Sequence, residues 1–217
     1  METLTTPTPT HAPAEPRLRP FPLLSDAAGL PYLVASFAAR LPVAMLPLAV
    51  LLHGQHLTGS FAVAGLMLAA MSLGAALGAQ LFGALADRWG PRRTVATMTV
   101  VAALTISALA SFAWLPALPV AVPVGTALLV GASNAQVGAI ARSGWSTRFS
   151  SQPHGARKVE VAMGYETVVD EVSFVVGPVI GATLATVVSP VAAIGAALAV
   201  LVLAQVSLAV LLGRHSL

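Results

Sequence analysis

The sequence predicts an all-α integral membrane protein with six spanning helices. Three observations carry that expectation. Apolar residues make up 57% of the 217 residues and charged residues only 9%, with a mean hydropathy of +0.85; a water-soluble domain carries about 25% charged residues. The apolar residues fall in six runs, each close to or above the roughly 20 residues that cross a bilayer as a helix. Apart from Arg40, lysine and arginine lie at the two flanks and at alternate connectors between those runs. Lipid admits only helices and closed barrels, and continuous runs without in-out alternation favour helices. The pI near 10.2 rests on few basic residues, nearly all in connectors and flanks of apolar runs, so it speaks of membrane orientation and not of nucleic acid. With no cysteine, the chain has no disulfide, thiol catalysis or thiolate metal site.

Residues 1–29 read as a disordered cytoplasmic tail, rich in proline and threonine and without the apolar core of a signal peptide. Residues 30–217 form the bundle, with spans expected at about Pro31–Leu52, Phe61–Leu85, Val95–Phe112, Leu118–Arg142, Ala162–Val188 and Pro190–Leu212. Arg17 and Arg19 precede the first span. Arg88, Arg92 and Arg93 lie in the second connector, and Arg148, Arg157 and Lys158 in the fourth, with Arg142 at its edge. Arg214 follows the last span, and the first, third and fifth connectors have no lysine or arginine. This asymmetry puts both termini and the even connectors on the cytoplasmic side of a cell (inner) membrane. Tyr32, Trp89, Trp114, Trp145 and Tyr165 fall near expected span ends, where amphipathic rings prefer to lie. The long polar fourth connector, about Ser143–Val161, divides the spans three plus three.

The second connector carries the most specific pattern. Gly83, Asp87, Arg88, Gly90, Arg92 and Arg93 stand between two apolar runs. Gly83 is expected to end a helix and allow close backbone approach, and Gly90 to permit a tight turn. These residues, at these spacings and in this place, resemble the signature loop of the major facilitator superfamily of secondary transporters. The resemblance implies that the loop is a cytoplasmic gating latch between two halves of a transporter. A second, partial resemblance lies in the fifth span, where Gly164, Ser173, Gly177, Pro178 and Gly181 are similar to the family's antiporter motif. It implies efflux of small organic molecules in exchange for protons. Ordinary small-residue packing is the competing account of the same glycines.

Family members usually have twelve spans, so the resemblance implies the N-terminal six-helix half, with a second half as partner in a homodimer or a separate chain. The alternative is a non-transporting membrane scaffold or a degenerate fragment. The lipid bilayer, a small-molecule substrate and protons are the other expected partners; no cofactor, metal, nucleic acid or enzymatic activity is expected. The family's usual arginine in the fourth span is not evident in Gly131-Ala-Ser-Asn134-Ala-Gln136.

Charges inside the spans single out a candidate site. Arg40 lies near mid-depth of the first span, where insertion costs about 2.5 kcal/mol or more. The fifth span supplies Glu166, Asp170 and Glu171, of which Glu166 and Asp170 share a helix face. The expectation is a buried pair between Arg40 and Asp170 or Glu171, either static or coupled to protons through a spare carboxylate. Ser133, Asn134 and Gln136 are candidates to line a cavity, or else to act as interhelical glue. Ala70, Gly74 and Gly78 form a small-residue packing stripe. His53 and His56, read as lying in an external connector, lack further metal ligands nearby. Gly144-Trp-Ser146 lacks the second glycine of a nucleophile elbow.

Overall fold

The computed structural model describes residues 19–115 and 118–214. All regular structure among them is helical: α1 (Pro20–Ala28), α2 (Leu30–Ala38), α3 (Leu41–Thr58), α4 (Phe61–Trp89), α5 (Pro91–Ser111), α6 (Ala121–Ala132), α7 (Val137–Phe149), α8 (Gly155–Val187) and α9 (Pro190–Arg214), with a short 3₁₀ turn at Phe112–Trp114. Among the described residues, six segments are long and apolar enough to cross a membrane: Leu30–Thr58, Phe61–Trp89, Pro91–Trp114, Ala121–Phe149, Gly155–Val187 and Pro190–Leu212.

Two spans are broken. The first divides at Ala39–Arg40, where Pro42 in the first turn of α3 has no N–H to give to the carbonyl four residues back. The fourth divides at Ser133–Gln136. There the Ser133 hydroxyl bonds back to the Val130 carbonyl at 3.1 Å and competes with the helix ladder. Both breaks fall in the leading span of a three-span group. Non-helical backbone at membrane depth is tolerated where protein buries it or it lines a cavity, and Ala39, Arg40, Ser133 and Ala135 are all buried.

The core divides into two clusters. One lies toward the ends of α2, α7 and α8 around Tyr32, Trp145 and Phe149; the other joins α3, α4, α5, α6 and α9 around Met45, Ile106, Ile194 and Leu201.

Several expectations need correction. The tail expected to be disordered through residue 29 is helical from Pro20; two prolines start α1, and Leu24 and Ala28 are buried in the first cluster. The rest of that tail, residues 1–18, lies outside the described residues. The fourth connector is far shorter than Ser143–Val161. Val137, Ala141, Trp145 and Phe149, spaced by four, are all buried and carry α7 onward, and α8 begins at Gly155. His53 is not in a connector: it is fully buried in α3, its Nε2 3.0 Å from the Leu109 carbonyl. Trp145 and Tyr32 are buried and in edge contact, ring centroids 5.9 Å apart, whereas Trp89 and Trp114 are exposed near span ends.

Candidate functional site

The two breaks bring a compact knot of charge together. Arg40, beside the first break, forms an ion pair with Glu166 of α8. Its Nε also stands 3.3 Å from Asp170 Oδ1, one turn further along the same helix face. The other Asp170 oxygen pairs with Arg142 of α7, just past the second break. The Trp145 indole N–H donates to the remaining Glu166 oxygen at 2.7 Å. Two guanidinium groups thus neutralise two carboxylates, which is the condition for charge to persist at membrane depth.

The two carboxylates differ in setting. Glu166 is fully buried, with both oxygens engaged by Arg40 and Trp145. Asp170 is 27% exposed and is shared between two arginines, of which Arg142 is itself 41% exposed. Gly138 makes room for the arrangement: a Cβ there would stand 3.2 Å from Arg142 Nη1 and 3.6 Å from Asp170 Oδ1. Arg40 Nη1 and the Asn134 side-chain oxygen are buried without a hydrogen-bond partner among the described residues.

Of the expected site residues, the structure gathers Arg40, Glu166 and Asp170. Glu171 stands apart, exposed on another face of α8, because one residue turns a helix by about 100°. Ser133 is buried and 3.1 Å from the Thr105 hydroxyl, and Gln136 precedes the first turn of α7. Sequence reading missed Arg142 and Trp145. The fourth span does hold an arginine, because it continues through α7 to Phe149; the four-residue apolar spacing from Val137 was the available signal.

The fifth-span glycines split. A Cβ on Gly177 would overlap Ala44, and one on Gly181 would press on the Met45 carbonyl, so both hold α8 close to α3. Gly164 is open and Pro178 lies within α8. Ser173 is buried and bonds back to the Val169 carbonyl at 2.8 Å.

In the second connector, Gly90 has φ of +81°, a conformation glycine supplies without strain, and Pro91 opens α5. Asp87 and Arg88 close α4, and Arg92 and Arg93 open α5, all four exposed. Gly83 does not end its helix, and a Cβ on it would touch nothing within 4 Å, so no close approach within this bundle requires it. Gly83 and Asp87 instead border an open cavity of about 380 Å³, with Tyr32 of α2 and Ser143 and Thr147 of α7.

With six apolar helices, a charged turn after the second and paired charges inside, the fold defines a polytopic membrane protein. Residues 32–216 match the family model described as Major Facilitator Superfamily, and the chain belongs to that superfamily of transporters. No curated protein and no solved structure gives a significant match.

Proposed function

We propose that this chain is a six-helix half of a secondary active transporter that exports small organic molecules in exchange for protons. It sits in the cell (inner) membrane with both termini cytoplasmic. The observation that carries the reading is the knot of Arg40, Glu166, Asp170 and Arg142 between the two broken spans. Broken spans in corresponding places of two three-helix groups are where transporters of this architecture place their sites.

The two carboxylates take different roles. Glu166, dry and doubly held, fixes α3 and α7 to α8. Asp170, reachable and shared, is the proton carrier. Protonating Asp170 removes one negative charge, loosens Arg142 and frees α7 to move relative to α8. The unpaired Arg40 Nη1 and Asn134 oxygen offer polar contacts to a substrate at the same depth. The loop at Asp87–Arg93 serves as the latch on the cytoplasmic side, where its exposed charges meet the second six-helix half.

The test is export of a panel of fluorescent organic dyes from proteoliposomes under an imposed pH gradient. Asp170→Asn is expected to abolish the dependence on the gradient, while downhill dye movement persists. Gradient-driven export unchanged in that variant would discard Asp170 as the carrier. No dye movement with any protein sample would favour the scaffold alternative.

A further inference from the structure

The two carboxylates of the knot differ in what faces their oxygens. On Glu166, Oε2 takes Arg40 and Oε1 takes the Trp145 indole N–H at 2.7 Å. On Asp170, among the described residues, only Oδ2 has an aligned donor, from Arg142. Arg40 Nε approaches Oδ1 at 3.3 Å without the alignment of a hydrogen bond. Indole and guanidinium nitrogens donate hydrogen bonds and never accept them. A proton added to either Glu166 oxygen would therefore point its new O–H at a donor and break a contact. A proton from water can add to Asp170 Oδ1 with no hydrogen bond to displace.

The Trp145 contact is also the harder one to release. Arg142 is partly exposed and can turn its guanidinium to water, whereas Trp145 is fully buried. Its ring stacks on Phe149, centroids 5.7 Å apart and planes 10° from parallel, and Tyr32 meets it edge-on. Leu24 of α1 belongs to the same buried cluster. A ring packed this way cannot swing its N–H aside. The other charged or titratable groups around Glu166 are Arg40 and Tyr32 of the first span, Tyr165 and Asp170 on its own helix, and Arg142 of α7 beyond Asp170. Of the remaining helices on α8, α1 offers only Asp26, which is exposed. α3 offers only His53 and His56, near the end away from Arg40, and α9 only Arg214, its last residue.

We propose that Trp145 is a positioning residue that keeps Glu166 a fixed anion and so leaves proton exchange to Asp170. It does this by filling Oε1 with a rigid donor that cannot accept. Phenylalanine at position 145 would keep the ring and its stack but leave Oε1 open to a proton. The consequence for transport rests on Asp170 as the carrier, while the action of Trp145 on Glu166 can be read without transport.

The test is an infrared pH titration of the full chain in lipid, grown with 13C-labelled glutamate. The label separates glutamic from aspartic carboxyl bands, and loss of a band on adding Glu166→Gln assigns it to Glu166. Trp145→Phe is expected to raise the proton affinity of Glu166 roughly tenfold or more, the effect of losing one hydrogen bond to a charged group. Phe149→Leu loosens the same stack and keeps the N–H, so it should lower stability and leave that affinity unchanged. An affinity unmoved by Trp145→Phe, or raised as far by Phe149→Leu, overturns the inference. If Trp145→Phe fails to accumulate, a chain with Trp89→Phe and Trp114→Phe decides, because Trp145 is then its one tryptophan. Its emission should stay at one wavelength from pH 8 to pH 5, since the bond to Glu166 outlasts protonation of Asp170; a shift in that range overturns the inference. Gradient-driven export that survives Asp170→Asn would remove the carrier reading and leave the titration result standing.

Discussion

The crossing of α4 with α6 and the meeting of α3, α7 and α8 hold helices together by opposite means. At the first, Gly74, Gly78 and Gly131 interlock. A Cβ on Gly74 would overlap the Leu128 carbonyl, one on Gly78 the Ala132 carbonyl and one on Gly131 the Met71 carbonyl. No charge takes part. At the second, two arginines and two carboxylates carry the contact, backed on α3 and α8 by Gly177 and Gly181 against Ala44 and Met45. Lipid gives no hydrophobic drive between helices, so close packing and polar bonds are the available adhesives. They differ in what can undo them. A proton does nothing to packed backbones, whereas one proton on Asp170 changes the charge balance of the second contact. The first contact is suited to be a fixed joint and the second a movable one.

The sharpest way to break this contrast is Glu166→Ala. It leaves Arg40 buried without its main partner, and the loss of stability should reach about 3–5 kcal/mol. Thermal unfolding in detergent, followed by size-exclusion fluorescence, reads it. Replacing Arg40 and Glu166 together by leucine should recover part of that loss, because no orphan charge remains; a double variant as unstable as the single would mean that shape, not charge, holds the contact. Next in size is Gly131→Leu at the uncharged crossing. Overpacking there should cost roughly 1–3 kcal/mol or more, equally at pH 5 and pH 8. A strong pH dependence of that loss would contradict the fixed-joint account.

Asp170→Asn should be milder, about 1–2 kcal/mol, since the group is partly exposed and Arg142 can reach water. The smallest effect is expected of Gly83→Ala. Nothing in this bundle crowds that position, and alanine is a better helix former, so stability should rise by up to about 1 kcal/mol. Transport lost in a more stable Gly83→Ala protein would place the residue's role at a contact outside this bundle.

Much of this was legible in the chain. Long apolar runs marked six segments, with bounds up to seven residues from those of the helices, and the Asp87–Arg93 loop pointed to the family. Glu166 and Asp170 announced a shared face by their four-residue spacing, and Arg40 was conspicuous as a lone charge in an apolar run. What misled was treating polar composition as loop. Ser143, Ser146, Thr147 and Arg148 look like a connector, but Val137, Ala141, Trp145 and Phe149 keep a buried stripe beneath them and continue the helix. For the same reason Arg142 seemed peripheral, and Trp145 seemed an interfacial ring when it is a donor to Glu166.

The sequence by itself determined the solvent, because a chain this apolar must bury its backbone bonds in helices, and it determined how many times the chain crosses. It also determined that charges would need partners. Which charges meet was settled only by tertiary structure. Arg40 chose Glu166 over Glu171 because helix rotation aims neighbouring residues about 100° apart, and Arg142 reached Asp170 because α7 is set against α8 beyond the break. Spacing along one helix is local, but pairing between helices depends on how each is turned and how closely its glycines let it approach.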